Sequence, residues 1–214
     1  MTYTYAYLDL PSPPQSIIDA AWRIAEKNKN TKATEMNNWL NRPGYAEYEY
    51  RNFTLKTGEE VKTLRSHRFS INEEFNEWVR THFKCDPTTC GIAVYDSHSS
   101  FFAPHVDISR DYVMSYLLDQ GGDNVETIWY QQHGHPIVRP DLKSVFDPAV
   151  ITKNFDTLEE IDRVNLPKNK WVSLNASILH GIENIESTRV AIHISSNDPL
   201  SHIKLLSASL IKES

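Results

Sequence analysis

His105, Val106 and Asp107 stand in a strand-like segment, FFAPHVD. Side chains two residues apart on a strand share a face, so an imidazole and a carboxylate point at one spot. That pair is two thirds of a metal site. A facial set of two histidines and one carboxylate leaves three positions open on Fe(II), enough for a bidentate keto acid and dioxygen. His180, in SILHGIEN, is the candidate third ligand. It ends an apolar strand and is followed by Gly181, a polar turn from Asn184 to Ser187, and a strand opening with Arg189. A hairpin of that length returns Arg189 near His180, where its guanidinium can grip a carboxylate through two charge-assisted bonds.

Each of these residues also has an ordinary reading. An isolated H-x-D is most often a hydrogen-bonded polar pair on a sheet. A His before Gly can bond a turn carbonyl, and Arg189 can belong to a surface ion pair worth at most about 1 kcal/mol. The joint spacing of the four weighs against those readings. Arg110 lies three residues beyond Asp107 and either orients that carboxylate, meets an anionic substrate group or is a plain surface Arg. His133 and His135 form an H-x-H beside Gly134 and Pro136 and read as pocket-rim loop residues. Cys85 and Cys90 form a C-x4-C that can bridge a tight loop or contribute two metal ligands; two reduced thiols in a reducing cytosol is the simpler reading.

The elements that must position these groups are readable from hydrophobic period. Tyr3, Tyr5 and Tyr7 alternate with smaller residues and predict an opening strand. Ser12 as a cap, Pro13 and Pro14 in the first turn, and apolar residues from Ile17 to Ala25 predict a helix. Residues 45–55 with a turn at Thr57-Gly58 predict a strand and its return, and Asn72 caps a second helix carrying Phe75, Trp78, Val79, His82 and Phe83, ended by CDPTTC. From Gly91 onward the chain reads as short strands, GIAVYDS, FFAPHVD, YVMSYLLD, ETIWYQQ, KWVSLNASILHGI and TRVAIHIS, separated by polar turns and one long polar loop. That pattern predicts a mainly β fold with a jelly-roll core buttressed by N-terminal helices. No repeat or composition break divides the chain, so one domain over 1–214 is expected, residues 1–90 supporting a core over 91–200.

From about Gly91 to Ser195 the residues resemble the Fe(II)/2-oxoglutarate dioxygenase superfamily, in particular its prolyl-hydroxylase-like branch with a double-stranded β-helix core. Tyr95 precedes His105 by ten residues; Tyr116-Leu117, Gly121-Gly122 and Glu126-Thr127 follow in order, and Arg189 comes nine residues after His180. The resemblance implies His105, Asp107 and His180 as metal ligands, Arg189 as the anchor of 2-oxoglutarate, and Tyr95 and Tyr116 as further residues of its pocket. Tyr116 would then donate to the carboxylate held by Arg189, a role that fits a strand face shared by Tyr112, Met114 and Tyr116. Ala191 departs from the branch, whose members often carry Ser or Thr there; Tyr116 or His193 then supplies the missing hydrogen bond. Asp107 argues against the halogenase variant, in which a small residue replaces the carboxylate.

The implied reaction couples oxidative decarboxylation of 2-oxoglutarate by dioxygen to hydroxylation of a small-molecule or protein side-chain substrate. A second reading is a non-enzymatic, cupin-like jelly roll that binds metal or ligand without turnover. Composition bounds both: 214 residues with 40% hydrophobic and 23% charged side chains suit a globular core. The net charge of -6 disfavours a nucleic-acid substrate. Met1 to Leu10 has no signal-like n-region and no segment approaches a membrane span, so a cytoplasmic protein without membrane partners is expected.

Overall fold

In a computed structural model, the structure describes residues 3–28, 52–54, 60–62, 66–83, 85–95, 100–107, 110–133, 149–151, 157–196 and 205–210. Residues 29–51 and 134–148 lie outside these. Fourteen strands are described: β1 (Tyr3–Leu8), β2 (Asn52–Thr54), β3 (Glu60–Lys62), β4 (Ser66–Phe69), β5 (Gly91–Tyr95), β6 (Phe102–Asp107), β7 (Tyr112–Asp119), β8 (Glu126–Gln132), β9 (Ala149–Ile151), β10 (Leu158–Val164), β11 (Trp171–Asn175), β12 (His180–Glu183), β13 (Arg189–Ser196) and β14 (Leu205–Leu210). Among the described residues two α-helices, α1 (Gln15–Asn28) and α2 (Glu73–His82), precede the main run of strands. The fold is therefore mainly β with few helices, as its sequence pattern predicts.

The strands form two large antiparallel sheets. One has the order β14-β1-β11-β7-β13-β5-β4 and the other β10-β8-β12-β6-β9, with β2 and β3 pairing as a separate hairpin. Side chains of both sheets meet in the space between them: Val113, Leu117, Val172, Leu174 and Ala191 pack with Trp129, and Ala93 and Tyr95 with Val125, Ile182 and Ile185. Tyr5 stacks on Trp129 at 5.7 Å. The larger sheet thus has both faces covered, because its other face carries Ile92, Val94, Met114, Tyr116, Leu118, Val190, Ile192 and Ile194 against the helices.

The helices follow from their caps and apolar stripes. Asn72 accepts from the backbone N–H of Phe75 at 2.8 Å and so starts α2, which buries Phe75, Trp78 and Val79. Trp78 stacks on Trp171 of β11 at 6.0 Å, while the Trp171 indole donates to the Pro11 carbonyl at 2.9 Å. In α1 the carbonyl of Pro14, rather than a group on Ser12, receives the first helical N–H groups, from Ile17 and Ile18. The two prolines thus precede the helix, which buries Ile17, Ala20, Ala21 and Ala25.

Several of the described strands escape the sequence pattern. LEEIDRV, read as part of a long polar loop, is β10 at the edge of the five-stranded sheet. Its outward charges protect the edge from further pairing and hide the strand from a hydrophobicity reading. KWVSLNASILHGI is two strands in different sheets, β11 and β12, with residues 176–179 turning between them. His180 opens a strand rather than ending one. The C-terminal strand β14, which pairs with β1, also went unread.

Candidate metal centre

β6 and β12 are antiparallel neighbours, and their register sets His180 directly opposite His105. Asp107 lies two residues further along β6, on the face of His105. The potential ligand atoms of His105, Asp107 and His180 all lie within 4.8 Å of one another, and all three residues are buried. The imidazole centroids are 4.3 Å apart, and Nε2 of His105 is 3.6 Å from Oδ1 of Asp107. Gly181 permits this approach of β12 to β6: a Cβ at that position would meet the Phe102 carbonyl oxygen at 2.8 Å.

The surroundings prepare these groups as ligands. Nδ1 of His180 lies 2.8 Å from the Ile178 carbonyl, so it carries the proton and Nε2 is left as the electron-pair donor. Burial, then the neighbouring His105, pushes the His180 pKa down to about 3, against the opposing effect of the Ile178 hydrogen bond. The imidazole is therefore neutral at ordinary pH, the form that binds metal. Arg110 is buried and donates from Nε to Oδ2 of Asp107, leaving Oδ1 toward the histidines. Its Nη1 donates to Ser195 Oγ at 3.2 Å, and Ser195 donates to the Thr89 carbonyl at 2.9 Å. Of the readings open for Arg110 in the sequence, the structure selects the partner of Asp107. A donor set of two imidazoles and one carboxylate suits a divalent metal ion.

A second polar group faces the same space between the sheets. Arg189 is 3% exposed, pairs in register with Tyr95 and lies 6.0 Å over its ring. Its only hydrogen bond to a described residue is a long one, 3.3 Å, to the Gln120 carbonyl; no described carboxylate forms an ion pair with it. Burial lowers the guanidinium pKa, with Tyr95 and Asp119 acting against that shift. Tyr95 reaches the His105–Asp107–His180 cluster through ring contacts, to Phe102 at 5.6 Å and from Phe102 to His105 at 4.5 Å. Gly121 makes room for Arg189: at φ +82° it lies where a Cβ would stand 2.9 Å from the Arg189 Cβ.

Tyr116 is the correction. Its register partner on β13 is Ile192, and it packs against Trp171 at 5.2 Å in the helix-covered core. Arg189, Ala191 and His193 project from the opposite face, so Tyr116 cannot share a carboxylate with Arg189. The inward position beside it is Leu117, opposite Ala191. β7 is buried on both faces from Val113 to Leu118, so hydrophobicity gives no clue to its orientation.

On the inward face His193 is joined by two polar groups that carry no assignment from the sequence, Ser115 and Thr127. Ser115 lies opposite His193, and both are buried. Thr127 lies opposite Ile182, and its Oγ1 is buried without a hydrogen-bond partner among the described residues. Alternation with Trp129, the partner of His180, is the signal that places Thr127 on this face. His133 instead pairs with Glu159 at 2.6 Å on exposed sheet surface, while His135 lies outside the described residues. Cys85 and Cys90 are both reduced. Comparison of the chain with protein-family models, with curated proteins and with solved structures gives no match.

Proposed function

We propose that this chain is a non-haem Fe(II) oxygenase that couples oxidative decarboxylation of 2-oxoglutarate to hydroxylation of a small-molecule or protein side-chain substrate. The observation that carries the reading is the buried cluster of His105, Asp107 and His180, with no further described side chain completing it as a closed site. A structural zinc site closes with four protein ligands, whereas three leave positions for co-substrate and oxygen. Fe(II) and 2-oxoglutarate together would supply the oxidising chemistry.

The topology supports a double-stranded β-helix. In chain order β5, β7, β11 and β13 belong to the larger sheet and β6, β8, β10 and β12 to the smaller, in the spatial orders β11-β7-β13-β5 and β10-β8-β12-β6. Within that frame the roles divide simply. His180 presents an unprotonated Nε2, Asp107 is held in place by Arg110, and Arg189 offers a buried positive charge for the distal carboxylate of the keto acid. Tyr95 forms the wall under Arg189. Thr127, whose hydroxyl has no hydrogen-bond partner among the described residues, replaces Tyr116 in our reading as the second donor to that carboxylate. The sheets on either side exclude water, which strengthens the Arg189–carboxylate attraction.

A second reading, a binding jelly roll without turnover, draws on Leu117 and Ala191, which leave the Arg189 face with fewer hydroxyl donors than the resemblance implies. Succinate release separates the two. Wild-type protein with Fe(II), 2-oxoglutarate and dioxygen should release succinate slowly even without substrate, and His105→Ala should not. Metal binding without any succinate would favour the binding module.

A further inference from the structure

Cys85 and Cys90 bracket a single 3₁₀ turn, Pro87–Thr89, and their Sγ atoms are in contact at 3.7 Å. The turn holds them there: Thr89 N–H donates to the Asp86 carbonyl at 3.1 Å and Cys90 N–H to the Pro87 carbonyl at 3.0 Å. Cys85 is half-buried and Cys90 buried, so a reagent from solvent meets Cys85 first. The same turn is wired to the metal centre, since the Thr89 carbonyl accepts from Ser195, Ser195 from Arg110, and Arg110 donates to Asp107.

We propose that Cys85 and Cys90 form a reversible dithiol–disulfide site whose closure weakens metal binding at Asp107 through Thr89, Ser195 and Arg110. The oxidant is a low-molecular-weight disulfide. Deprotonated Cys85 attacks one of its sulfurs, giving a mixed disulfide and releasing one thiolate. Deprotonated Cys90 then attacks Cys85 Sγ, forming the internal S–S bond and expelling the second thiolate. The protein loses two electrons and two protons, and the reagent leaves as two thiols. Drawing the sulfurs into a covalent bond moves the turn that carries the Thr89 carbonyl, and with it the contact that fixes Arg110 beside Asp107. The coupling rests on the metal reading of His105, Asp107 and His180; the disulfide itself does not.

The full chain is equilibrated in glutathione buffers of increasing disulfide fraction, alkylated and weighed intact. Both alkylation sites should disappear together with no glutathione retained, whereas Cys90→Ser should keep one glutathione on Cys85. Persistent alkylation of both thiols, or a stable mixed disulfide in the wild type, overturns the site. Co(II) titration then reads the coupling: the oxidised form should bind about tenfold more weakly, at the lower end of what losing an outer-shell partner costs. That difference should vanish in Ser195→Ala. Equal affinities, or an undiminished difference in Ser195→Ala, overturn the coupling. Failure of the reduced protein to bind Co(II) overturns it together with the metal reading, while the mass result still decides the disulfide.

Discussion

A guanidinium sealed inside a protein without a carboxylate is destabilising unless something else compensates. Arg189 is in that position among the described residues, which is the ground for the ligand-anchoring role proposed for it. Arg189→Met should therefore leave the melting temperature of the metal-free protein unchanged or raised. In the same variant 2-oxoglutarate should bind more weakly by about 2–3 kcal/mol, roughly 30- to 150-fold. A melting temperature several degrees lower with unchanged affinity would make Arg189 a structural residue. Tyr116→Phe should leave 2-oxoglutarate affinity unaltered, because the hydroxyl lies on the helix-covered face. His180 gives a pH signature. Its folded pKa of about 3 lies below the ordinary 6.5, so between these values the unfolded chain takes up a proton that the native state refuses. Stability of the metal-free protein should fall as pH drops through that window, with a slope approaching about 1.4 kcal/mol per unit from this residue. Denaturation curves for wild type and His180→Gln should diverge there; parallel curves would mean that His180 is not buried neutral.

At the scale of elements, the centre depends on two neighbouring strands keeping their register. Gly181→Ala sets a methyl group against the Phe102 carbonyl and should push β12 from β6, separating His180 from His105. Weakened Co(II) binding with far-ultraviolet dichroism retained is the expected outcome; unaltered affinity would show that the strands absorb the methyl elsewhere. These strands also show what was legible in the sequence. FFAPHVD and TRVAIHIS alternate clearly, and spacing and resemblance singled out His105, Asp107 and Arg189 there, the first two of which cluster with His180. β7 is apolar on both faces, so parity there misplaced Tyr116 and passed over Ser115 and Leu117. β10 is a charged edge strand whose Arg163 meets Glu126, Glu160 and Glu183, and nothing in such a run distinguishes strand from loop. Arg110 was readable as one possible partner of Asp107, three residues away, but its contact with Ser195, distant in sequence, carried no signal.

For the whole molecule, the helices and sheets divide the labour. α1 and α2 cover one face of the larger sheet with side chains such as Ile17, Phe75 and Val79, each contributing roughly 1.5–3 kcal/mol on full burial. The second sheet covers the other face and encloses the polar groups. Among the described residues no helix is long and apolar enough to cross a membrane. The proposed function requires one enclosed space to hold both a metal and a keto acid, and anaerobic titration with Fe(II) and 2-oxoglutarate reads the two together. A weak visible charge-transfer band that saturates with 2-oxoglutarate, and is lost in His180→Ala, is the predicted result. Metal binding with no band at saturating 2-oxoglutarate would rule out the oxygenase site.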